Sequence, residues 1–171
     1  IVSLALKSKV EQLKLHNFFV NSPTGDNGFY VYVSSRIDTP DAPEGCDNLV
    51  IHLRLAAEDK DEVERLNALK ESAYRSISEH CGVNIKEEII FEEMRAHAYF
   101  EDTFHAYRGS CYGMSPRLGQ IGPLGPKIKS KVVEGLFYTG QDVTSGSGMA
   151  LALNSGRLTA YSLIGKGPEG Q

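Results

Sequence analysis

The chain has 171 residues, 18 lysines and arginines against 22 aspartates and glutamates, and a formal net charge of −4. This length can enclose a hydrophobic core, and 41% hydrophobic with 23% charged residues is the composition of a globular domain. A mildly acidic chain disfavours nucleic-acid binding, which needs a concentrated basic surface. The longest apolar runs fall far short of the roughly 20 residues that a membrane-spanning helix needs.

Cysteine and histidine spacing argues against metal and disulfide chemistry. Cys46, Cys81 and Cys111 are widely spaced, which predicts reduced thiols and neither a disulfide framework nor a zinc cluster. The five histidines are scattered, so we expect no metal site. The chain begins at Ile1 without a signal-peptide pattern, which indicates a processed protein or a piece of a longer one.

The first hundred residues predict an antiparallel sheet crossed by one helix. Residues 4–15 show a mixed apolar pattern, which we interpret as a helix leading into a strand at 18–20. Residues 29–36 and 49–55 are β-branched, aromatic or alternating, and predict neighbouring antiparallel strands. Residues 59–80 repeat apolar side chains every three or four positions, which predicts an amphipathic helix capped by Asp59 or Asp61 and ended by Gly82.

The remaining chain predicts shorter elements. We expect a strand over residues 85–94, a helical turn from Glu101 through Tyr107, and a glycine- and proline-rich loop over 109–125. A strand over 133–139 and a helix over 147–164 follow, and small residues fill one side of that helix. The predicted fold class is therefore α+β.

A strand, a polar loop and a helix follow one another between Gly135 and Ala150 (GLFYTGQDVTSGSGMA). Glycines let a ligand approach the backbone, and the unpaired N–H groups of a first helical turn attract anions or polar rings. Asp142 could accept hydrogen bonds from ligand hydroxyls, and Ser147 is the expected helix N-cap. On spacing alone, an ordinary strand–loop–helix connection explains the pattern equally well, because the rest of a Rossmann fingerprint is missing.

Three blocks together resemble a known flavoprotein superfamily. Residues 136–143 (LFYTGQDV), followed by a helix rich in small residues, are similar to the C-terminal flavin-binding segment of the phytoene desaturase, carotenoid isomerase and retinol saturase superfamily. Residues 104–114 (FHAYRGSCYGM) and 38–46 (DTPDAPEGC) resemble two further segments of that superfamily. The order and spacing of all three blocks fit, over roughly residues 20–165.

The resemblance implies FAD, bound noncovalently in a fold with two dinucleotide-binding domains. Gly140 and Asp142 would lie near the ribityl–pyrophosphate part of the cofactor. Gly148, Met149 and Ala150 would lie under the isoalloxazine ring, where backbone dipoles stabilise an anionic reduced flavin.

The resemblance also implies a long polyene substrate. The strands before Leu55 and the segment 101–114 would line its tunnel, with four substrate-binding candidates: Phe104, Tyr107, Arg108 and Tyr112. From the residues alone, core packing is the favoured explanation of the aromatic side chains over lining a channel. Pairing with a carboxylate explains Arg108 as well as a functional role does.

The chain departs from the superfamily in one respect: the N-terminal βαβ unit with G-x-G-x-x-G is absent. We therefore predict a substrate-domain portion over residues 1–115 and the C-terminal portion of an FAD-binding domain over 116–171, with FAD bound in the complete protein. The predicted function is the C-terminal portion of an FAD-dependent carotenoid or retinoid oxidoreductase or isomerase, with desaturation, saturation and isomerisation all open. The alternative is a non-catalytic binding or scaffold subunit derived from that family.

Lys127, Lys129 and Lys131 alternate along the chain and carry two interpretations. They belong to a solvated loop, or they contact anionic lipid head groups. Because carotenoids dissolve in membranes, the resemblance implies a protein at the membrane periphery, in a plastid or on the cytoplasmic side of a bacterial membrane. A protein partner or the missing N-terminal region remains a further expected contact.

Overall fold

A computed structural model describes residues 1–20, 28–37, 41–55, 62–113, 118–120, 124–143 and 146–165. These residues form two compact units, over 1–100 and over 101–171. The predicted division at 115/116 into substrate and cofactor portions is a different, functional division and stays a prediction. The predicted caps Asp59 and Asp61 lie outside the described residues.

The first unit is a five-stranded antiparallel sheet. Its strands are β1 (Val2–Leu6), β2 (His16–Phe19), β3 (Phe29–Val33), β4 (Asp47–His52) and β5 (Ile89–Met94), and their order across the sheet is β2-β3-β4-β1-β5. All neighbouring pairs are antiparallel, so the predicted neighbours β3 and β4 are confirmed. The mixed helix and antiparallel sheet confirm the α+β class.

One face of the sheet forms the hydrophobic core with helix α1 (Glu62–Cys81). Alternate residues of β1, β3 and β4 are buried, as the two-residue period of a half-buried strand requires. The buried residues of α1 recur on one helical face: Leu66, Leu69, Ala73, Tyr74, Ile77 and Cys81. Gly82 follows with φ +68°, which confirms it as the helix stop.

Three element predictions were wrong. Residues 4–15 contain no helix, because Val2, Leu4 and Leu6 alternate into the core as β1. Residues 85–88 form the short helix α2 (Ile85–Glu88) before β5 begins. Residues 133–139 form no strand but one antiparallel bridge, between Lys129 and Phe137.

The second unit contains helix α4 (Met149–Leu163) and the end of α3 (His97–Phe104), with a 3-10 turn at Tyr107–Gly109. The helix predicted over 147–164 is confirmed within two residues. The helical turn predicted at Glu101–Tyr107 begins earlier, at His97, because Glu101 and Asp102 lie inside α3 and do not cap it.

Candidate functional site

Two hydroxyl groups of α4 attach the helix to the segment that precedes the polar loop. Ser155 is fully buried, and its Oγ accepts the N–H of Gly140 at 2.7 Å. The same hydroxyl lies 2.8 Å from the Ala152 carbonyl and 3.1 Å from the Gly140 carbonyl, and its single proton serves these acceptors. One turn later, Thr159 Oγ1 donates to the Tyr138 carbonyl at 3.0 Å. The two hydroxyls therefore fix Tyr138–Gly140 along one face of α4.

Small side chains allow this close approach. A Cβ placed on Gly156 would lie 3.6 Å from Thr139 Oγ1, and Ser155 and Thr159 are both buried. The small-residue side of the helix, expected from the sequence, thus contacts the segment that ends at Gly140.

Gly140 and Gly148 leave open space beside their backbones. Gly140 has φ +116° and Gly148 has φ +106°, and, apart from the adjacent residues in the chain, no atom of the described residues lies within 4 Å of a Cβ placed on either one. Such backbone conformations are rarely accessible to residues with a side chain. Both predicted glycine positions therefore combine a glycine-requiring conformation with room for a ligand.

Gly148 is the N-cap of α4, and the predicted cap Ser147 is wrong. The Gly148 carbonyl accepts the Ala152 N–H at 2.9 Å, and Gly148 has no side chain with which to cap the first turn. Met149 is 83% exposed, and Ala150 is exposed beside it. The first turn of α4 thus presents backbone donors and a partial positive charge at an open surface.

Asp142 brings two of the three sequence blocks together. Gly113 has φ +71°, and a Cβ added there would overlap the Asp142 carboxylate. Ser110 Oγ donates to the Gly113 carbonyl, so the Arg-Gly-Ser block is folded onto this turn. The carboxylate of Asp142 therefore packs against the Gly113 backbone.

The substrate-binding candidates lie on the surface of the same unit. Phe104, Tyr107 and Tyr112 are 63%, 84% and 53% exposed, so they do not form a core among the described residues. Arg108 is also exposed and has φ +53°, a left-handed conformation that is uncommon outside glycine. Burial raises the pKa of the neighbouring Cys111 thiol, which keeps it protonated near neutral pH.

The strands before Leu55, which the resemblance places in a substrate tunnel, carry an aromatic surface whose residues were not singled out from the sequence. Opposite the helix-covered face, His16 and Phe18 of β2 stack on Tyr30 with ring centroids 5.9 and 4.9 Å apart, and His16 Nδ1 lies 2.6 Å from Tyr30 Oη. Tyr32 and His52 extend the row. The sequence pattern that could have predicted this surface lies in β3, where Tyr30 and Tyr32 alternate with the buried Phe29, Val31 and Val33.

Electrostatics on this surface favour neutral groups. Burial, and then the positive N-terminus, lower the pKa of His52 below 6.5. Burial and then Tyr32 raise the pKa of Tyr30 above 10.0. Both side chains are therefore uncharged at neutral pH, and the aromatic row is a mostly apolar surface.

The described residues contain neither a metal-binding cluster nor a membrane-spanning helix. In the part of the chain that the structure describes, no group of three histidine, cysteine, aspartate or glutamate side chains could hold a metal ion. Among those same residues, no helix has the length and apolar character to cross a membrane.

Comparison with known proteins identifies the relatives of the chain. No family model matches it. It is 32% identical over 139 residues to carotenoid 3,4-desaturase of Haloarcula japonica, covering 81% of this chain and 28% of that protein. It is 29% identical over 148 residues to all-trans-zeta-carotene desaturase of Myxococcus xanthus, covering 84% and 28%.

A third relative extends the match. The chain is 26% identical over 174 aligned positions to 4,4'-diapophytoene desaturase (4,4'-diaponeurosporene-forming) of Staphylococcus aureus, covering 90% of this chain and 35% of that protein. The chain thus spans about a third or less of the length of these relatives. It corresponds to the C-terminal part of the carotenoid desaturase family.

Proposed function

We propose that the chain is the C-terminal part of an FAD-dependent carotenoid oxidoreductase that acts on a long polyene. The observation that carries this proposal is the similarity to three carotenoid desaturases over 81–90% of the chain. The comparisons lend no support to the scaffold alternative.

The residues around Gly140 and Gly148 fit a flavin cofactor. Their open Cβ positions leave room for a ligand against the backbone, and the first turn of α4, whose N-cap is a glycine, offers N–H donors to its polar edge. Bound FAD would supply the hydride acceptor for the reaction. Gly140 and Asp142 would hold its ribityl–pyrophosphate part, and Gly148, Met149 and Ala150 would support its ring.

Ser155 and Thr159 act as positioning residues in this proposal. Neither hydroxyl faces open space, because both are buried against Tyr138–Gly140. By fixing this segment to α4, they hold Gly140 and the start of the helix in one arrangement. A preformed site avoids the free-energy cost of ordering its backbone when the cofactor binds.

For the polyene, two surfaces of suitable chemistry are present. One is formed by the exposed Phe104, Tyr107 and Tyr112 of the second unit. The other is the aromatic row on the sheet. Flat aromatic side chains contact a conjugated hydrocarbon through dispersion and need no polar partner.

We further propose that polypeptide beyond these 171 residues completes the cofactor site. The aligned segment covers 28%, 28% and 35% of the named relatives, so most of each relative lies outside it. Met149, Leu153 and Leu163 of α4 are 83%, 71% and 60% exposed, which makes α4 a surface suited to further packing.

Flavin content tests the proposal. The gene product that contains this chain, with any upstream polypeptide encoded with it, is purified and its flavin absorption is recorded. We expect a yellow protein and expect Gly148→Val to lose most of the flavin, because the valine fills the open space beside the backbone and cannot adopt φ +106°.

The control is Gly45→Val in the first unit, where φ is +84° and the surrounding space is also open. We expect this variant to keep its flavin despite comparable backbone strain. Circular dichroism establishes that both variants fold. A colourless native protein, or equal flavin loss in both variants, would contradict the proposal.

A further inference from the structure

Residues 105–113 form a series of tight turns, here named the Gly113 turn, that ends beside Asp142. His105 and Arg108 have φ +53° and Gly113 has φ +71°, all in the left-handed region. Residues with a side chain adopt this conformation at a cost in free energy, where the surrounding structure fixes the backbone. The Gly113 turn therefore has a defined backbone conformation.

Hydrogen bonds within the turn fix the position of Gly113. The Gly109 N–H donates to the Ala106 carbonyl at 3.0 Å. The Ser110 N–H donates to the Tyr107 carbonyl at 3.2 Å, and Ser110 Oγ donates to the Gly113 carbonyl. Because Gly109 is also buried, the rest of the turn holds the Gly113 backbone in place.

The loop that contains Asp142 is anchored on both sides of this residue. Before it, the Gly140 N–H donates to Ser155 Oγ at 2.7 Å. After it, Val143 is buried, and its carbonyl accepts the Gly146 N–H at 3.1 Å. The direction of the Asp142 carboxylate therefore depends mainly on its own side-chain torsions.

The backbone of Gly113 limits those torsions. A Cβ added at Gly113 would overlap Asp142 Oδ1, and it would lie 3.3 Å from Asp142 Cγ and 3.4 Å from the Gln141 carbonyl oxygen. The closest atom is the end of a rotatable side chain. A methyl group on Gly113 would therefore displace the carboxylate and leave the loop backbone in place.

We propose that Gly113 is a positioning residue, which directs the Asp142 carboxylate towards the hydroxyl groups of the ribityl chain of FAD. The inference rests on the proposed function, in which Gly140 and Asp142 hold this part of the cofactor. Gly113 leaves the space that one orientation of the carboxylate occupies, while Asp142 stays exposed and can accept from ligand hydroxyls. Because Tyr107 and Tyr112 lie on the same turn, this contact joins the candidate polyene residues to the candidate cofactor loop.

A double-mutant cycle on FAD affinity tests the proposal. The gene product, with any upstream polypeptide encoded with it, is freed of flavin and titrated with FAD by fluorescence quenching. We expect Gly113→Ala and Asp142→Ala each to weaken FAD binding about 10- to 100-fold, the loss for a hydrogen bond to a charged group. The double variant should bind FAD about as weakly as Asp142→Ala alone, because the added methyl group then has no carboxylate to displace.

Gly135→Ala is the matched control. Gly135 lies in the same unit with φ +77°, and the space around its Cβ position is open, so the backbone strain is comparable without the contact. We expect this variant to bind FAD within about twofold of the native protein, in the presence or absence of Asp142→Ala. Circular dichroism establishes that every variant folds.

The orientation of Asp142 can be measured without flavin. In the isotope-labelled chain of 171 residues, three-bond couplings to the Asp142 Hβ atoms give the populations of its χ1 rotamers. We expect one rotamer to dominate in the native chain and in Gly135→Ala. In Gly113→Ala, the couplings should shift to another rotamer or average over several.

Three outcomes would overturn the proposal. These are native FAD affinity in Gly113→Ala, native Asp142 couplings in Gly113→Ala, and single-variant losses that multiply in the double variant. The last result would mean that Gly113 acts through the general stability of the unit. Altered couplings in a protein that binds no FAD would instead support the positioning of Asp142 and contradict the proposed function, so the two failures are distinguishable.

Discussion

At the scale of single residues, the buried carboxylate of Asp47 has the densest set of partners in the first unit. Its oxygens accept from Arg36 at 3.0 and 2.9 Å, from Ser35 Oγ at 2.7 Å and from the Val10 N–H at 2.9 Å. Arg36 also donates to the Val10 carbonyl at 3.0 Å. Asp47 therefore ties the chain around Val10 to the start of β4.

We expect Asp47→Asn to lower the free energy of unfolding by about 3 kcal/mol, because it leaves the guanidinium of Arg36 without its charge partner in a site that is largely buried. Urea unfolding measures the effect. Glu44→Gln, at an exposed position of the preceding loop, should change stability by less than about 0.5 kcal/mol. Equal midpoints for wild type and Asp47→Asn would refute the role of the ion pair.

Sequence reasoning located glycines better than polar partners. Gly82, Gly140 and Gly148 were singled out from the sequence, and all three have positive φ. A glycine at a chain turn can be recognised from its immediate sequence neighbours, without knowledge of the tertiary structure. The ion pair between Asp47 and Arg36 was not predicted, because the groups that hydrogen-bond to the Asp47 carboxylate lie up to 37 positions away in the sequence. Ser155 was recognised only as a small residue, since its bonds to Gly140 depend on how α4 packs.

At the scale of elements, a hydrogen-bonded cluster ties α1 to the edge strand β5. Tyr74 Oη donates to Glu92 at 2.7 Å, and Lys70 forms an ion pair with the same carboxylate. Burial, and then the bond to Glu92, raise the pKa of Tyr74 well above 10.0. For Glu92, burial opposes ionisation, but the hydrogen bonds from Lys70 and Tyr74 outweigh it and lower its pKa below 4.5.

This cluster predicts acid-dependent stability. A carboxyl group whose pKa is lower in the folded state stabilises the fold above its unfolded pKa, and this contribution is lost as pH falls through the folded value. We therefore expect the stability difference between wild type and Glu92→Gln to be largest above pH 4.5 and to shrink below it. Urea midpoints measured between neutral and acidic pH test this. Glu64→Gln, exposed on α1, is the control, and a pH-independent difference for Glu92→Gln would contradict the argument.

The attachment of α4 gives a second prediction about elements. Ser155→Ala removes the acceptor of the Gly140 N–H, so we expect a loss of about 1–3 kcal/mol in the stability of the second unit. Hydrogen exchange at the Gly140 amide should accelerate by a corresponding factor. Ser162→Ala, exposed on the same helix, should leave that exchange unchanged. Unaltered exchange in Ser155→Ala would show that this hydroxyl does not hold the segment.

Secondary structure was predicted correctly where a single hydrophobic repeat extends over many residues. Helix α1 was predicted within a few residues because its apolar positions repeat over 20 residues. β1 was missed because its alternation covers five residues and continues into Val10 and Leu13, which are buried without helical structure. The strand predicted over 133–139 is apolar in its second half but forms one bridge, because a strand needs a neighbour and, among the described residues, only 128–130 pair with it.

At the scale of the whole molecule, the two units differ in how they are stabilised. The hydrophobic core cluster found among the described residues lies between Val2 and Ile85, within the first unit. In the second unit, the buried side chains are Val143, Ser155 and Thr159, again among the described residues, and many large apolar side chains are exposed. Burial of apolar area is the main favourable term in folding, so we expect the first unit to be the more stable one.

Native-state hydrogen exchange tests this difference. Amides of β1 and β4, inside the sheet, should exchange only by opening of the whole first unit, whereas α4 should open at a free energy at least about 2 kcal/mol lower. Asp47→Asn should then reduce protection in β1 and β4 and leave α4 unchanged, since its partners all lie in the first unit. If both units showed one level of protection and Asp47→Asn lowered it equally, they would unfold as a single cooperative domain. Low protection in α4 would instead fit a helix that is stabilised by flavin and further polypeptide, as proposed for the complete protein, and addition of these components should raise the protection.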